Sequence, residues 1–337
     1  MTTTSTVPEA ALADGRPLDW TVVVPAYRGR STILDCIDSV KPALRGRNAE
    51  IVVVESSRDG TVELVRSRFP DVRVLDLPRR HSAGAARNRG AEAARGRSIA
   101  FVDQDCVVPE DWIDRLEAHL RDDRVGAVGG SIGIRNPQNS SGKALYFLEF
   151  LHHLPSRRPA TRDVNFLLGC NLACRASLFD HVRFPDRTLA EDVLFSEAVR
   201  RRGLDLVYDP SIEVRHWNRE GWGEFLRYND AMGRAAAQYQ QTLRRPLVRP
   251  ILRFPALVFL APLATLPRIA FGLREQGRLL LDFLALSPAC LVGNLRWCAA
   301  FRRELVRPSP TGTSALPGDD TSGPGGGSRH LPGEPTA

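Results

Sequence analysis

The stretch RSIAFVDQDC, residues 97–106, sets an uncharged apolar run against two carboxylates spaced one residue apart. Ile99, Ala100, Phe101 and Val102 read as a strand covered on both faces, and the run stops at Asp103-Gln104-Asp105. Side chains alternate along a strand, so Asp103 and Asp105 are expected on one side of it. Two carboxylates held together repel unless a cation lies between them, and hard oxygen ligands suit Mg2+ or Mn2+. Taken alone, Asp-x-Asp can also be a polar turn that merely ends a strand. A second acidic pair, Glu191-Asp192, opens a run with Val193, Leu194, Ala198 and Val199 at helical spacing. Acids at that position complement a helix dipole whatever else they do. His216 follows a short apolar run and precedes Trp217.

These residues need elements to hold them. DWTVVVP (19–25) reads as a strand stopped by Pro25, followed by a polar turn, Ser31 as a helix cap, and Ile33, Leu34, Ile37 and Val40 at helical spacing. The unit repeats: a strand at 51–54, a loop at 55–60, a helix at Thr61–Arg68, a strand at 72–75, then an alanine-rich helix at 82–95 carrying Arg87, Asn88 and Arg89. Alternating strands and helices with short links imply a mostly parallel sheet with right-handed crossovers. Ligands of such sheets lie beyond the carboxyl ends of the strands. The segments 25–27, 55–57 and 103–105 all fall there, which points to a nucleotide site. Further on we expect a helix from 109 to about 121, a glycine-rich strand at Val125–Ile134, a turn into a buried strand at 166–175, short strands at 206–208 and 212–215, and a helix at Trp222–Leu243.

The chain has 337 residues and 43% hydrophobic content, enough for one large domain or two small ones with a sizeable core. Its net charge of +7 comes almost wholly from arginine. That suits anionic lipid or phosphorylated substrates, while no zinc-finger or aromatic RNA-binding signature accompanies it, so no nucleic-acid partner is expected. Six scattered cysteines without a Cys-x-x-Cys pair read as free thiols in a reducing compartment. The first 17 residues lack an apolar segment and read as a loose tail without a signal peptide.

In order along the chain, VVVPAYRGRSTILDCIDSV, IVVVESSRDGT, GAARNRGAEAARGRSIAFVDQDC, LLGCNLACR, LAEDVLFSEAVRRRGLDLVYDP and VRH resemble the successive motifs of family 2 glycosyltransferases of the GT-A (Rossmann-like) fold, over about residues 18–240. The resemblance implies a nucleoside-diphosphate sugar donor. Pro25, Ala26 and Tyr27 would line its base, Glu55 would bond base or ribose, Asp103 would face the ribose or metal, and Arg87 would reach the diphosphate. It implies a divalent metal, Mn2+ or Mg2+, held by Asp103 and Asp105, with His216 completing the shell as in some relatives. The acceptor hydroxyl must lose a proton as it attacks; the resemblance gives that task to Asp192, with Glu191 beside it on the acceptor, and implies inversion at the anomeric carbon. Gly169 and Asn171 would shape the acceptor side. The sequence departs from the family in two places. Val54 stands where a first acid often precedes Glu55, and Gly293 stands where the processive enzymes carry the glutamine of Gln-x-x-Arg-Trp, ahead of Arg296-Trp297. Transfer of a single sugar is therefore expected. Two rivals are a nucleotide-sugar-binding scaffold without catalysis, against which Asp103, Asp105 and Asp192 speak, and a nucleotidyltransferase, which would carry a glycine-rich basic loop where Pro25-Ala26-Tyr27 stands.

Downstream, 254–267 is uncharged and 279–295 is broken only by Asp282. Both fall short of the roughly 20 apolar residues of a comfortable span, and their prolines argue against rigid spans. Flanking arginines fit helices lying in, or partly entering, the inner face of the cell membrane, which would make a lipid-linked or cell-envelope glycan the acceptor; an ordinary apolar helical pair packed on the domain and two short or tilted spans are the alternatives. The expected organisation is a tail at 1–17, a glycosyltransferase domain at 18–245 with its nucleotide half at 18–106 and acceptor half at 107–245, an apolar helical region at 246–306, and a Pro/Gly/Ser-rich disordered tail at 307–337.

Overall fold

The computed structural model describes residues 18–243 and 248–307. The expected tails, apart from Arg307, and the boundary expected at 245/246 lie outside the described residues. A mixed eight-stranded sheet with helices on both faces is followed by two apolar helices. Its first half is the expected parallel unit: β1 (Leu18–Ala26), α1 (Ile33–Ala43), β2 (Ala49–Glu55), α2 (Thr61–Arg68), β3 (Arg73–Asp76), α3 (Ala83–Ala93) and β4 (Gly96–Val102). Val22 and Val24 enter one core with Ile33, Ile37 and Trp112, while Val23 enters the other with Val52, Phe101 and Phe184. An unbroken valine run is what a strand buried on both faces requires.

Beyond β4 the sheet is mixed, with the strand order β3-β2-β1-β4-β7-β6-β8-β5. The second half comprises β5 (Cys106–Val107), α4 (Trp112–Leu120), β6 (Val125–Ile134), α5 (Ser140–Glu149), β7 (Asn171–Arg175), α6 (Glu191–Arg201) and β8 (Asp205–His216). β7 runs antiparallel to both β4 and β6, and β5 antiparallel to β8. A parallel neighbour needs a crossover; β7 instead enters from the irregular segment after α5, and β5 follows β4 by a tight turn. Two expectations change in detail. Pro25 does not end β1, because the ladder to β4 has already stopped at Val23 and no partner asks for its missing N–H. The two short strands expected at 206–208 and 212–215 are one twelve-residue β8, bulged against β6 between Gly130 and Ile132. At Gly130 a Cβ would sit 1.9 Å from the Ile212 carbonyl oxygen, so only glycine lets β8 pass.

α7 (Trp222–Leu243), α8 (Arg249–Arg253), α9 (Ala261–Gly272) and α10 (Gly277–Val306) complete the described chain. α10 runs unbroken for 30 residues through Pro288. It is anchored on α5 by Lys143–Asp282 at 2.9 Å and by the Cys290 thiol on the Ala144 carbonyl. Against α7 it lies so close that a Cβ on Gly233 would meet the Trp297 carbonyl oxygen at 2.3 Å. Pro255–Gly272 and Gly277–Val306 are long and apolar enough to cross a membrane, and only 17% and 22% of their most apolar windows are buried. The shorter stretches in the sequence reading stopped at arginines that the helices run past.

Candidate active site

β4 ends at Val102, so Asp103-Gln104-Asp105 is a turn and not a strand continuation, closed by the Cys106 N–H on the Asp103 carbonyl at 3.0 Å. Strand alternation therefore does not set the two acids. Gln104 does: its amide grips the Tyr27 backbone, accepting from Tyr27 N and donating to Tyr27 O at 3.0 Å each. This clamp ties the acidic turn to the end of β1. Gly29 is its counterpart, since a Cβ there would lie 2.1 Å from the Gln104 amide oxygen.

The β5–β8 pairing sets Cys106 opposite His216, and the Trp217 N–H reaches the Asp105 carbonyl at 2.9 Å. His216 Nε2 then stands 3.4 Å from Asp105 Oδ1. Its Nδ1 lies 3.2 Å from Asn218 Oδ1, an acceptor, which places the ring proton on Nδ1 and turns the Nε2 lone pair toward Asp105. A lone pair facing a carboxylate across that gap is a donor set for a hard divalent cation. The Cys106 thiol lies within reach of the same point, but burial pushes it well above the usual thiol range, and a soft sulfur adds little to oxygen and imidazole for such an ion. The residues present thus fit the expected metal through Asp105 and His216. Asp103 is committed elsewhere: Oδ1 accepts from Arg87 at 2.6 Å.

Arg87, on α3, is 2% exposed. Its two terminal nitrogens each donate at 2.6 Å, one to Asp103 and one to Glu191. Gly169 explains how the loop before β7 comes so near, as a Cβ there would sit 2.6 Å from the guanidinium carbon. Asn88, next along, bonds both backbone groups of Phe184 and fixes that loop to α3. α6 starts from Ala190 at φ 61°, a left-handed conformation that costs a non-glycine residue about 1 kcal/mol. That backbone turn sets the direction in which Glu191 and Asp192 enter. Asp192 Oδ1 accepts from Val193 N at 2.8 Å and Oδ2 from Gly169 N at 3.3 Å. Burial raises its carboxyl above the ordinary range, against the pull of Arg87 and these amides. Asn171 turns inward, bonded to Trp112 and to the Ser131 and Ile212 carbonyls.

Burial, then the adjacent Asp192, pushes the Glu191 carboxyl up to about 8 against the attraction of Arg87. An acid raised on folding stabilises fully below its unfolded pKa and loses that contribution as pH rises through the folded one. The ligand-free melting temperature is therefore expected to fall between about pH 5 and 8, and Glu191→Gln to flatten the decline; thermal melts of both proteins across that range check it.

One cavity of about 530 Å³ takes in Arg87, Asp103, Asp105, Glu191, Asp192 and His216. The other expected donor residues sit apart from it. Ala26 and Glu55 are register partners at the ends of β1 and β2, and Tyr27 is flanked by the guanidinium groups of Arg28 and Arg80 at 5.4 and 4.5 Å from its ring centre. Glu55 is fully buried and closes its own turn, accepting from the Ser57 N–H at 2.8 Å and the Arg58 N–H at 3.3 Å.

Residues 21–183 match the family model described as glycosyl transferase family 2. Over that span, just under half of its length, the chain is a member of that family. Glycosyltransferase AglE of Haloferax volcanii is 24% identical over 224 residues, 64% of this chain and 72% of that protein. Succinoglycan biosynthesis protein ExoO of Rhizobium meliloti is 40% identical over 121 residues, 35% of this chain and 33% of that protein. The pre-mycofactocin glycosyltransferase of Mycobacterium tuberculosis is 27% identical over 248 residues, 68% of this chain and half of that protein. The chain thus spans a third to a half of the length of the last two. Among solved structures, mannosyltransferase PcManGT from Pyrobaculum calidifontis, in complex with GDP-Man and Mn2+, shares the fold with a TM-score of 0.56 at 20% identity, over 88% of this chain and 89% of that one. Staphylococcus aureus TarS 1–349, in complex with UDP-GlcNAc, does so with a TM-score of 0.51 at 18% identity, over 85% and 91%.

This family 2 glycosyltransferase also carries polar groups in the cavity that sequence reasoning missed. Arg219, three residues after His216, lies over the Tyr228 ring at 4.6 Å, and the Tyr228 hydroxyl donates to Glu149 Oε1 at 2.5 Å. Glu149 Oε2 is buried without a hydrogen-bond partner. A cation so close behind a metal-ligand candidate was the one available signal for Arg219. Glu149 and Tyr228 are brought in by α5 and α7 and had none.

Proposed function

We propose that this glycosyltransferase moves a single sugar from a nucleoside-diphosphate donor to an acceptor hydroxyl with inversion. The acceptor oxygen bonds to the anomeric carbon as the bond to the diphosphate breaks. The nucleoside diphosphate departs with the electron pair, and Asp192 takes the acceptor's proton. The observation that carries this reading is the shared cavity: Asp105 and His216 open on it from the sheet edge and Asp192 from the start of α6. Asp105 and His216 would hold the divalent cation, which supplies charge to offset the leaving diphosphate. Asp103 faces the ribose. Arg87 holds Asp103 and Glu191 in place, and Arg219 meets the diphosphate from the loop after β8. That the mannosyltransferase sharing this fold was crystallised with GDP-Man and Mn2+ supports a donor and metal of this kind. Single transfer is supported by Gly293, where a Cβ would sit 2.4 Å from the Phe225 ring, so a glutamine has no room. Leu260, Leu263, Phe271, Leu281, Leu284 and Val292 are exposed on the C-terminal helices among Arg253, Arg268 and Arg278, which supports contact with an anionic membrane surface.

The test is a thermal-shift screen of nucleoside-diphosphate sugars with and without Mn2+. One donor is expected to raise the melting temperature more with Mn2+ than without. Asp105→Asn and His216→Ala should each abolish the Mn2+ increment. An increment that survives in both variants overturns the metal assignment.

A further inference from the structure

The cavity does not end at the acids. It continues between α7 and the C-terminal helices, where Leu148, Met232, Ala235, Ala236, Ala261 and Ala264 outnumber the polar Asn229, Thr265 and Asn294, with Arg268 among the residues at that end. A nucleotide or a free sugar placed there would leave most of its hydroxyls facing methyl and methylene groups, and unpaired buried polar groups are costly. The small side chains from two facing helices leave a passage, and the wall favours hydrocarbon. Two further observations bear on what fills it. Ala264 and Arg268 are themselves exposed, so the passage opens outward. Beside that opening, Leu260 and Leu263 are 57% and 74% exposed. A largely apolar passage that starts at the acid cluster and opens beside an exposed apolar face matches an amphiphile in polarity, with its polar head at the acids and its tail toward the opening.

We propose that the acceptor is a lipid whose hydroxyl-bearing head reaches Asp192 and whose hydrocarbon chain lies in the passage between α7, α9 and α10, entering from the membrane side by Ala264 and Arg268. This rests on the transferase reading above and names the acceptor class for the same site. Chain length is then a recognition element: each methylene taken from water into the passage tightens binding about fourfold, the fold-change corresponding to about 0.8 kcal/mol per buried CH2, until the passage is full.

The experiment uses the full chain and n-alkyl β-glucosides from hexyl to dodecyl as probes, each below its micelle concentration, with affinity read by calorimetry. The expected result is a stepwise gain with chain length followed by a plateau. Ala264→Trp and, one position on, Thr265→Phe should each remove the gain while melting within a few degrees of the wild type. Affinity independent of chain length in the wild type overturns the proposal. So does a gain that survives in both variants, because hydrocarbon is then binding the outer face and not the passage. Donor-induced stabilisation of the wild-type protein, measured in the same buffer, tests the transferase reading separately. A donor shift without a chain-length effect leaves that reading standing and removes this one.

Discussion

Asp192→Asn is expected to lower kcat by about 10²–10⁴, the usual contribution of a positioned base, with the donor's thermal shift unchanged. The direction follows from the site. Asp192 lines the cavity, and each of its oxygens accepts one backbone N–H, from Val193 and from Gly169. Those bonds fix the carboxylate but leave lone pairs for a substrate proton. Burial raises its pKa, which makes it a stronger proton acceptor than an exposed aspartate. The asparagine amide keeps the shape but has one oxygen for two N–H donors, so its stability cost stays near 1 kcal/mol and does not obscure the kinetics. The pH profile offers a second reading. A base must be unprotonated, so the acid limb of kcat/KM is expected above the ordinary aspartate range in the wild type and to vanish in Asp192→Asn. Turnover within a factor of about ten of wild type would move the base elsewhere in the cavity.

What the sequence made legible depended on whether a residue's neighbours were set by periodicity or by tertiary contact. The valine runs of β1 and β2 and the apolar run before Asp103 carry their burial in their composition, and the first half of the sheet follows from them. Trp222–Leu243 was readable as a helix because its apolar face repeats. The antiparallel entry of β7 was not, since nothing in LLGCNLACR states a direction. At the site, Asp105 and His216 are far apart in the chain and meet because the two-residue β5 pairs with the C-terminal end of β8; family resemblance joined them where spacing could not. Gln104 sat between two conspicuous acids and was passed over, although it holds the turn on which they stand. Arg219 and Glu149 lie outside any periodic pattern, and their meeting depends on how α7 crosses α5.

Arg87→Leu is expected to destabilise the ligand-free protein by about 3–5 kcal/mol at pH 8.5, the cost of leaving buried charges without their partner, or a fall in melting temperature on the order of 10 °C. Above about pH 8 the Glu191 carboxyl is ionised, and Arg87 is the group that bonds it and Asp103 together. Leucine fills most of the volume and supplies no charge, so the loss is electrostatic rather than a void. Two consequences separate this from simple damage. As pH falls toward 6 Glu191 takes up its proton and the penalty should shrink. Adding Glu191→Gln to Arg87→Leu removes one of the stranded charges, so the double variant should recover stability relative to Arg87→Leu alone, giving a coupling of one to a few kcal/mol in a double-mutant cycle. If instead Arg87 served only to grip the donor's diphosphate, Arg87→Leu would melt close to the wild type and lose only the donor-induced shift. That outcome would return Arg87 to the binding role that its sequence motif implies, and would mean that the acids around it are held by Gly169, Val193 and the Gln104 clamp alone.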